Sequence, residues 1–595
     1  MPLNNLYILL IPTLLKSLVL LFLYDIFIVY LYTGDFRFEK SIVHPNLAEM
    51  FKAEDEISME VFKLKVLVSD SLSQEGLDLL KQHLEVEYKP NLTPEELVSE
   101  IGDYSGLVVR SRSKVTAEVI EAGKNLKVVG RAGVGVDNID VEKATEKGII
   151  VVNAPHGNTI SAAEHAIALL TSLARNVALA NESVKRGEWN RSDYIGVELN
   201  NKTLGVIGLG RIGSEVAHRA RSMGMKILGY DPYISDEQAD KVGVDMVPFE
   251  ELLQQSDFIT LHLPLGSSTH HMIGEKEIAM LKPGVRIVNC ARGGLIDEDA
   301  LCAALKEGKI AGAALDVFEQ EPPESCSLLD LKNVIATPHL GALTLEAQTN
   351  VALQVSEQVI KALRGEPIVS AVNVPALMPE NKAALEPFLP LARVMGSFYL
   401  QMFGGNVDEL ELTYSGEVAS LPLGPITISC LIGFLRHVVG DAVNWVNAPY
   451  LAKTRGITIK ESSTTEIKNY SNLITLRGRS GKEEHLISGT LLNNEMRLVR
   501  VDDYMIEIVP DKYMLVTTHN DRPGVVGKIG TLLGDEKVNI ASMQLGREKA
   551  GGEAMMVLQV DEEMSPDVVK KVKGLDIISS ARFVVVEASV FSANQ

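Results

Sequence analysis

Residues 202–213, KTLGVIGLGRIG, followed by KILGYD at 226–231, decide how the centre of this chain folds. An apolar run must turn sharply at Gly208 into a segment whose apolar residues Ile212, Val216, Ala217 and Ala220 recur at helical spacing. The first glycine permits the turn, the second (Gly210) lets backbone approach a pyrophosphate, and the third (Gly213) lets helix and strand pack closely. A helix N-terminus presents free N–H groups and a partial positive charge to phosphates. Asp231, at the end of the next strand, is placed to take both ribose hydroxyls and so favours NAD over NADP. Strand, helix and acid together make this a dinucleotide site rather than an ordinary glycine turn.

Outward from that motif, a length of 595 residues implies three to four domains. A formal net charge of −21 argues against nucleic acid or an anionic membrane surface as a general partner. An anionic substrate then requires a local cationic cluster. Cys290, Cys302, Cys326 and Cys430 form no CxxC pair, which points to a reducing, cytoplasmic setting with no disulfide framework and no metal site.

Residues 1–60 form an apolar extension. Leu6 to Tyr32 is long enough for a membrane span, yet Pro12, Lys16 and Asp25 interrupt it. Three readings stand: a membrane anchor, a buried or disordered extension, and translation from upstream of Met59. Membrane binding is expected only if this segment is real.

From Lys63 onward strands and helices alternate. KLKVLVSD, LEVEYKP, GLVVRSRS and LKVVGRAGVGVDNID read as strands, the last followed by a glycine-rich loop. LSQEGLDLLKQ and TPEELVSEIGDY read as helices, the second capped by Thr93 with Pro94 at its first position. SAAEHAIALLTSLARNVALANESVKRG reads as one long helix bridging to a second α/β unit. That unit continues through DFITLHLP, VRIVNCARGG and IAGAALDVF and closes at NVIATPHLGALT; a helix from Thr344 to Leu363 is expected to fold back onto the first unit. The fold class is α/β, with two doubly wound, Rossmann-like domains and a cleft between them. Residues 61–160 with 344–370 would form the substrate-binding domain and 161–343 the NAD-binding domain. A block at 375–510 mixes helical and strand-like stretches. Residues 512–595 read β-α-β-β-α-β, a ferredoxin-like order.

Three residues after strand ends form a candidate catalytic set: Arg292 in NCARGG, Glu321 in DVFEQEPP and His339 in TPHLGA. Oxidising a secondary alcohol needs a base for the hydroxyl proton, which histidine supplies. A neighbouring carboxylate holds the imidazole, and an arginine clamps a substrate carboxylate with two parallel hydrogen bonds.

The motifs VIGLGRIG, NCARGGLIDEDAL, ALDVFEQEPP and TPHLGALT resemble those of the D-isomer-specific 2-hydroxyacid dehydrogenase family over roughly residues 63 to 370. GRAGVGVDNID, NAPHGNTISAAEH and the C-terminal blocks are similar to its long branch, whose members act on 3-phospho-D-glycerate. The resemblance implies NAD-dependent oxidation of that acid to 3-phosphohydroxypyruvate, the first committed step of L-serine biosynthesis. It gives His339 as proton acceptor, Glu321 as its partner and Arg292 as a substrate binder. It also implies NAD contacts at Gly208, Gly210, Arg211, Ile212, Gly213, Asp231, Cys290, Asp316, His339, Gly341 and Ala342. Val134 stands where the family often has a polar residue. Arg110 and Arg112 in VVRSRSKVT are the candidates for the substrate phosphate, with Lys114 behind them; pairing at the surface is the alternative role for either arginine.

The 375–510 block resembles the intervening domain of the long branch. The last block resembles the ACT domain, a small-molecule sensor. By resemblance His519, Asp521 and Asn539 would bind L-serine as a feedback effector, although the family often has Asn at the position of Asp521. Homo-oligomerisation is implied in the same way. Two rivals remain. One is a sibling enzyme acting on glycerate, glyoxylate or another 2-oxo acid, disfavoured by the two arginines and the regulatory tail. The other is a non-catalytic NAD sensor that binds protein partners, disfavoured by the intact Arg–Glu–His set.

Overall fold

The computed structural model describes residues 64–587, except 324–325, 376–378, 467–468, 548 and 550. The apolar extension at 1–60 and its candidate membrane span lie outside the described residues.

The first sheet holds β1 (Lys65–Val68), β2 (Glu85–Tyr88), β3 (Gly106–Val109), β4 (Val128–Arg131) and β5 (Ile150–Asn153) in the order β2-β1-β3-β4-β5. Every pair is parallel, as expected for short strands linked by helices; β1, β3, β4 and β5 are largely apolar and buried, and the edge strand β2 is half-exposed. The helix Pro94–Glu100 starts as its sequence predicts. Thr93 Oγ1 accepts from Glu96 N–H, and the Glu96 carboxylate accepts from Thr93 N–H, a capping box that contributes about 1 kcal/mol.

The predicted long bridging helix is two helices. Thr159–Arg175 ends at Asn176, whose φ of 54° is left-handed, and Val177–Lys185 begins a new axis. Asparagine tolerates this conformation because its short amide bonds locally; here Asn176 Nδ2 donates to Ile195 O at 3.2 Å.

The second sheet comprises β6 (Thr203–Ile207), β7 (Lys226–Tyr230), β8 (Asp245–Met246), β9 (Phe258–Leu261), β10 (Val285–Asn289), β11 (Ile310–Leu315) and β12 (Val334–Ala336). Its order is β12-β11-β10-β9-β6-β7-β8, parallel throughout. Chain direction across the sheet reverses between β6 and β9, where ligands bind in open α/β sheets.

The return helix Leu345–Arg364 packs back on the first sheet as expected, burying Val351, Val355 and Val359. It lies so close to β4 that a Cβ on Gly130 would stand 2.6 Å from Val359 Cγ2 and 2.8 Å from Val355 Cγ2.

The third sheet holds β13 (Glu409–Gly416), β14 (Thr458–Thr464), β15 (Asn472–Ser480), β16 (Glu483–Leu492), β17 (Glu495–Val501) and β18 (Tyr504–Ile508), ordered β14-β13-β15-β16-β17-β18. Only β13 and β14 run parallel. Two helices, Phe388–Phe403 and Leu423–Val439, cover its apolar face. Among the described residues one stretch, Leu423–Ala442, is long and apolar enough to cross a membrane; 61% of its apolar window is buried inside the molecule.

The fourth sheet is β19 (Tyr513–Asn520), β20 (Ile540–Arg547), β21 (Glu553–Val560) and β22 (Ile578–Val585), ordered β20-β21-β19-β22 and antiparallel. With the helices Val525–Asp535 and Pro566–Lys573 it has the expected βαββαβ order. Both faces are buried along β19 and β21. Leu515, Met556 and Leu558 meet its own helices, whereas Met514, Val516, Met555 and Val557 join the core of the third sheet. Alternate residues point to opposite faces, so two apolar neighbours produce the continuous runs YMLV and AMMVL.

Candidate active site

The glycine loop is built as the motif requires. Gly208 has φ +90°, and a Cβ there would meet His262 O at 2.6 Å. A Cβ on Gly213 would collide with the Gly208 carbonyl. The helix Arg211–Ser222 begins at Gly210 with no side-chain cap, so the N–H groups of Arg211, Ile212 and Gly213 stay available to a phosphate. Nothing lies within 4 Å of where a Gly210 Cβ would stand. Asp231 follows β7, its Oδ2 accepting from Leu209 N–H at 2.9 Å and its Oδ1 from Tyr233 N–H at 2.9 Å. These bonds hold the carboxylate at the lip of the loop with lone pairs to spare for ribose hydroxyls. The residues present therefore fit NAD. Arg211 Nη1 reaches Pro155 O at 3.4 Å, and Ile212 packs against the core beneath. Burial, with Asp316 nearby, pushes the Cys290 thiol well up, so it is a neutral packing group.

Because β10, β11 and β12 are adjacent and parallel, Arg292, Glu321 and His339 emerge at one edge of the sheet. His339 Nδ1 and Glu321 Oε2 are 2.7 Å apart. The carboxylate can only accept, so Nδ1 carries the hydrogen, and in the neutral ring Nε2 then presents a lone pair. Glu321 Oε1 accepts from Phe318 N–H at 3.2 Å. Burial alone would raise the Glu321 carboxyl; the hydrogen bond and charge of His339, with the Phe318 N–H, outweigh it and hold it below the usual range.

His339 has a left-handed φ of 55°. Asp316, 0% exposed, over-determines that conformation. The Asp316 carbonyl accepts from His339 N–H at 3.0 Å. Its carboxylate accepts from Leu340 N–H (2.7 Å), Gly341 N–H (2.9 Å) and the Thr337 hydroxyl (2.6 Å). His165 Nε2 lies 3.1 Å from the same carboxylate. Ser161 donates to Gly341 O at 2.9 Å, and half-buried Ala342 follows. Asp316 is thus the support of the histidine loop.

Arg292 Nη1 donates to Ala291 O at 2.7 Å, and its Nε lies 3.2 Å from Asp137 Oδ2 on the loop after β4. Arg110 and Arg131 stand at the ends of the neighbouring strands β3 and β4. Arg131 Nε is buried without a partner among the described residues. Burial first, then the guanidinium groups of Arg292 and Arg110, push Arg131 down to about 10, against the pull of Asp137 and Asp70. Arg110 and Arg292 both press on Arg131, which is half-buried with its Nε unpartnered among the described residues, an arrangement suited to an anion. Arg112 turns elsewhere, its Nη1 donating to Pro90 O (3.0 Å) and Asn91 Oδ1 (2.6 Å). Lys114 is exposed.

Sequence reasoning missed Arg131, Asp137 and His165. Arg131 was findable, since it ends a strand at the ligand-binding edge of a parallel sheet.

In the fourth sheet His519 is 2% exposed, and its Nδ1 has no partner among the described residues. Burial lowers its proton affinity against the opposing charge of Asp521. Asp521 Oδ2 accepts from Gly551 N–H (3.1 Å) and Arg547 Nη1 (3.3 Å). Asn539 is not with them. It donates to Asp561 Oδ2 at 2.6 Å, at the end of β21 where Ile540 pairs with Val560, whereas His519 pairs with Ala554. Six strand residues separate those positions along β21, about 20 Å.

Residues 167–341 match the D-isomer specific 2-hydroxyacid dehydrogenase NAD-binding domain, 384–502 the D-3-phosphoglycerate dehydrogenase intervening domain and 513–576 the ACT domain. A D-3-phosphoglycerate dehydrogenase of Synechocystis sp. is 47% identical over 85% of this chain and 92% of its own. One from Methanocaldococcus jannaschii is 49% identical over 86% of this chain and 97% of its own. The crystal structure of Rhodotorula graminis D-mandelate dehydrogenase is 29% identical, with a TM-score of 0.50, over 53% of this chain and 99% of its own. With its glycine loop, its His339–Glu321 pair and all three matched domains, the chain belongs to the D-3-phosphoglycerate dehydrogenase family of D-isomer-specific 2-hydroxyacid dehydrogenases.

Proposed function

We propose that this chain oxidises 3-phospho-D-glycerate to 3-phosphohydroxypyruvate with NAD, the first committed step of L-serine formation, under feedback by serine. One observation carries the substrate: the cationic trio Arg110, Arg131 and Arg292 at the strand ends beside the His339–Glu321 pair. An acidic chain with a concentrated positive site suits a small substrate bearing a carboxylate and a phosphate.

Arg292 holds the carboxylate by two parallel hydrogen bonds, and Arg110 with Arg131 holds the phosphate. Arg112, lodged against Pro90 O and Asn91 Oδ1, is left out of that pair. His339 Nε2 accepts the hydroxyl proton, while Glu321 keeps Nδ1 protonated and stabilises the imidazolium that results. NAD held by the glycine loop at Gly208–Gly213 and by Asp231 would supply the acceptor for the hydride from the alcohol carbon.

Serine would bind where His519 and Asp521 end β19. Residues 61–160 with 344–370 serve the substrate, 161–343 NAD, 375–510 and 512–595 regulation. A homo-oligomer is supported by the exposed apolar side chains Val177, Val184, Trp189 and Ile195 around one helix. Free Cys290, Cys302, Cys326 and Cys430 are in keeping with a reducing, cytoplasmic location.

The test is NADH formation with 3-phospho-D-glycerate beside D-glycerate, each with and without L-serine. Preference for the phosphorylated acid, suppressed by serine, is expected. Equal rates would make this a broader hydroxyacid dehydrogenase, and NAD binding without turnover a sensor.

A further inference from the structure

A buried carboxylate that no basic side chain among the described residues hydrogen-bonds lies close to Arg131 of the cationic trio. Asp70, two residues beyond β1, is 3% exposed. Its Oδ2 accepts from Arg110 N–H at 2.6 Å and Ser113 N–H at 3.1 Å. Its Oδ1 accepts from the Ser113 hydroxyl at 2.8 Å and Ser113 N–H at 3.2 Å. From another loop, Asn138 Nδ2 donates to the carbonyls of Arg110 (2.9 Å) and Ser113 (2.7 Å). Side chains anchored at two other strands thus grip both the N–H and the C=O of the residues that open and close the 110–113 turn.

Burying a carboxylate is costly unless its lone pairs are filled, and this one is filled almost wholly by that turn. Asn138 Oδ1 has no partner among the described residues, so the side chain serves through its two donated bonds. The turn itself has little ladder support, since β3 ends at Val109. Without the clamp Arg110 would keep its charge and lose its place. Ordering a loose arginine turn would then fall on substrate binding.

We propose that Asp70 and Asn138 are positioning residues for phosphate selectivity: they hold the 110–113 turn so that the Arg110 guanidinium stands beside Arg131. Neither touches substrate. The role rests on Arg110 being a phosphate ligand, as argued above.

Asp70→Asn keeps the shape and replaces an acceptor by a donor opposite N–H groups. The expected result is a KM for 3-phospho-D-glycerate raised at least tenfold, with kcat falling less than threefold. The kcat/KM for D-glycerate should stay within twofold, as should NAD affinity. A merely structural role would lower the thermal midpoint and damage both substrates alike, and that result overturns the proposal, as does an unchanged selectivity ratio. If D-glycerate turnover is below detection, a fall in kcat at constant KM overturns it. If Asp70→Asn fails to fold, Ser113→Ala, which deletes one bond to Asp70, decides by the same ratio: a drop of threefold or more is expected, and none overturns the clamp. A wild-type chain with no preference for the phosphorylated acid would overturn the substrate reading instead.

Discussion

Arg292 and Asp137 follow strands of different sheets, yet their side chains meet, with Arg292 Nε 3.2 Å from Asp137 Oδ2. The pair ties the catalytic edge of the NAD sheet to the loop after β4, which also carries Asn138. Asp137 is largely exposed, so the pair itself is weak, contributing about 0–1 kcal/mol. Arg292 matters for its fork of donors. Arg292→Lys should lower kcat/KM by about a hundredfold or more, because a point charge cannot make two parallel bonds to a carboxylate. Asp137→Asn should change it by less than about threefold. Steady-state kinetics on both variants check the contrast.

His339→Ala should reduce kcat by about 10²–10⁴ while NAD affinity, measured by titration, stays within about threefold. Glu321→Gln removes the anion opposite Nδ1 and can pair through its amide oxygen. It should keep the geometry and lose about tenfold to a hundredfold in kcat, less than His339→Ala. Equal activity in His339→Ala and the parent would remove His339 from the reaction.

Asp316 makes stability depend on pH in a stated direction. Burial would raise its carboxyl; His165, the Thr337 hydroxyl and the Leu340 N–H outweigh burial and hold it below its usual value. A depressed carboxyl contributes stability that is full above the unfolded value of about 3.9 and is lost as pH falls through the folded one. Asp316→Asn places an amide donor against Gly341 N–H or Leu340 N–H and should cost about 2–3 kcal/mol at pH 7. The deficit in thermal midpoint should shrink on moving to pH 3. A deficit independent of pH would mean that packing, not charge, is what Asn disturbs.

The glycine loop, the Thr93 cap, the return helix and the βαββαβ order were legible because each is set by neighbours within a few residues. Arg131 was not, since a charged residue closing an apolar strand looks the same whether it meets solvent or an anion. Only the convergence of Arg110 and Arg292 from other strands gives it meaning. The break at Asn176 is hidden because apolar spacing continues through it into Val177–Lys185, while the left-handed residue changes the axis. β13 and β14 escape notice for a related reason. On their outer face Glu409 of β13 pairs with Lys460 of β14, and Glu409 and Glu411 face Arg477 and Arg479 of β15, so polar residues interrupt each run, and only cross-strand pairing shows why. The effector set came by resemblance, and chain topology parts Asn539 from His519 and Asp521.

Asp231→Ala should separate cofactor preference from folding. The carboxylate anchors Leu209 and Tyr233 N–H groups and offers the ribose its acceptors. Its loss should raise the KM for NAD by about tenfold or more, in line with losing two charge-assisted bonds, and weaken discrimination against NADP. The KM for 3-phospho-D-glycerate should move little, because the cationic trio stands on other strands. Paired titrations of NAD and NADP decide it.

Gly130 links packing to the site, because it precedes Arg131 on β4 and faces the return helix. Gly130→Ala forces a methyl to within 2.6 Å of Val359 Cγ2 and 2.8 Å of Val355 Cγ2, an overpacking that costs about 1–3 kcal/mol. Either the helix lifts or β4 shifts, and a shift of β4 carries the Arg131 guanidinium with it. The first thermal transition should therefore fall and the KM for the phosphorylated acid should rise together. Val359→Ala alone should also destabilise, by leaving a void of two methyl groups at a buried site. In the double variant the smaller residue accommodates the new methyl, so the two costs should fail to add by about 0.5 kcal/mol or more. Recovery of KM in the double variant would show that β4, not the helix, had yielded. Additive losses would mean that the sheet and helix relax independently, and that Arg131 is held by its own surroundings rather than by the helix behind it.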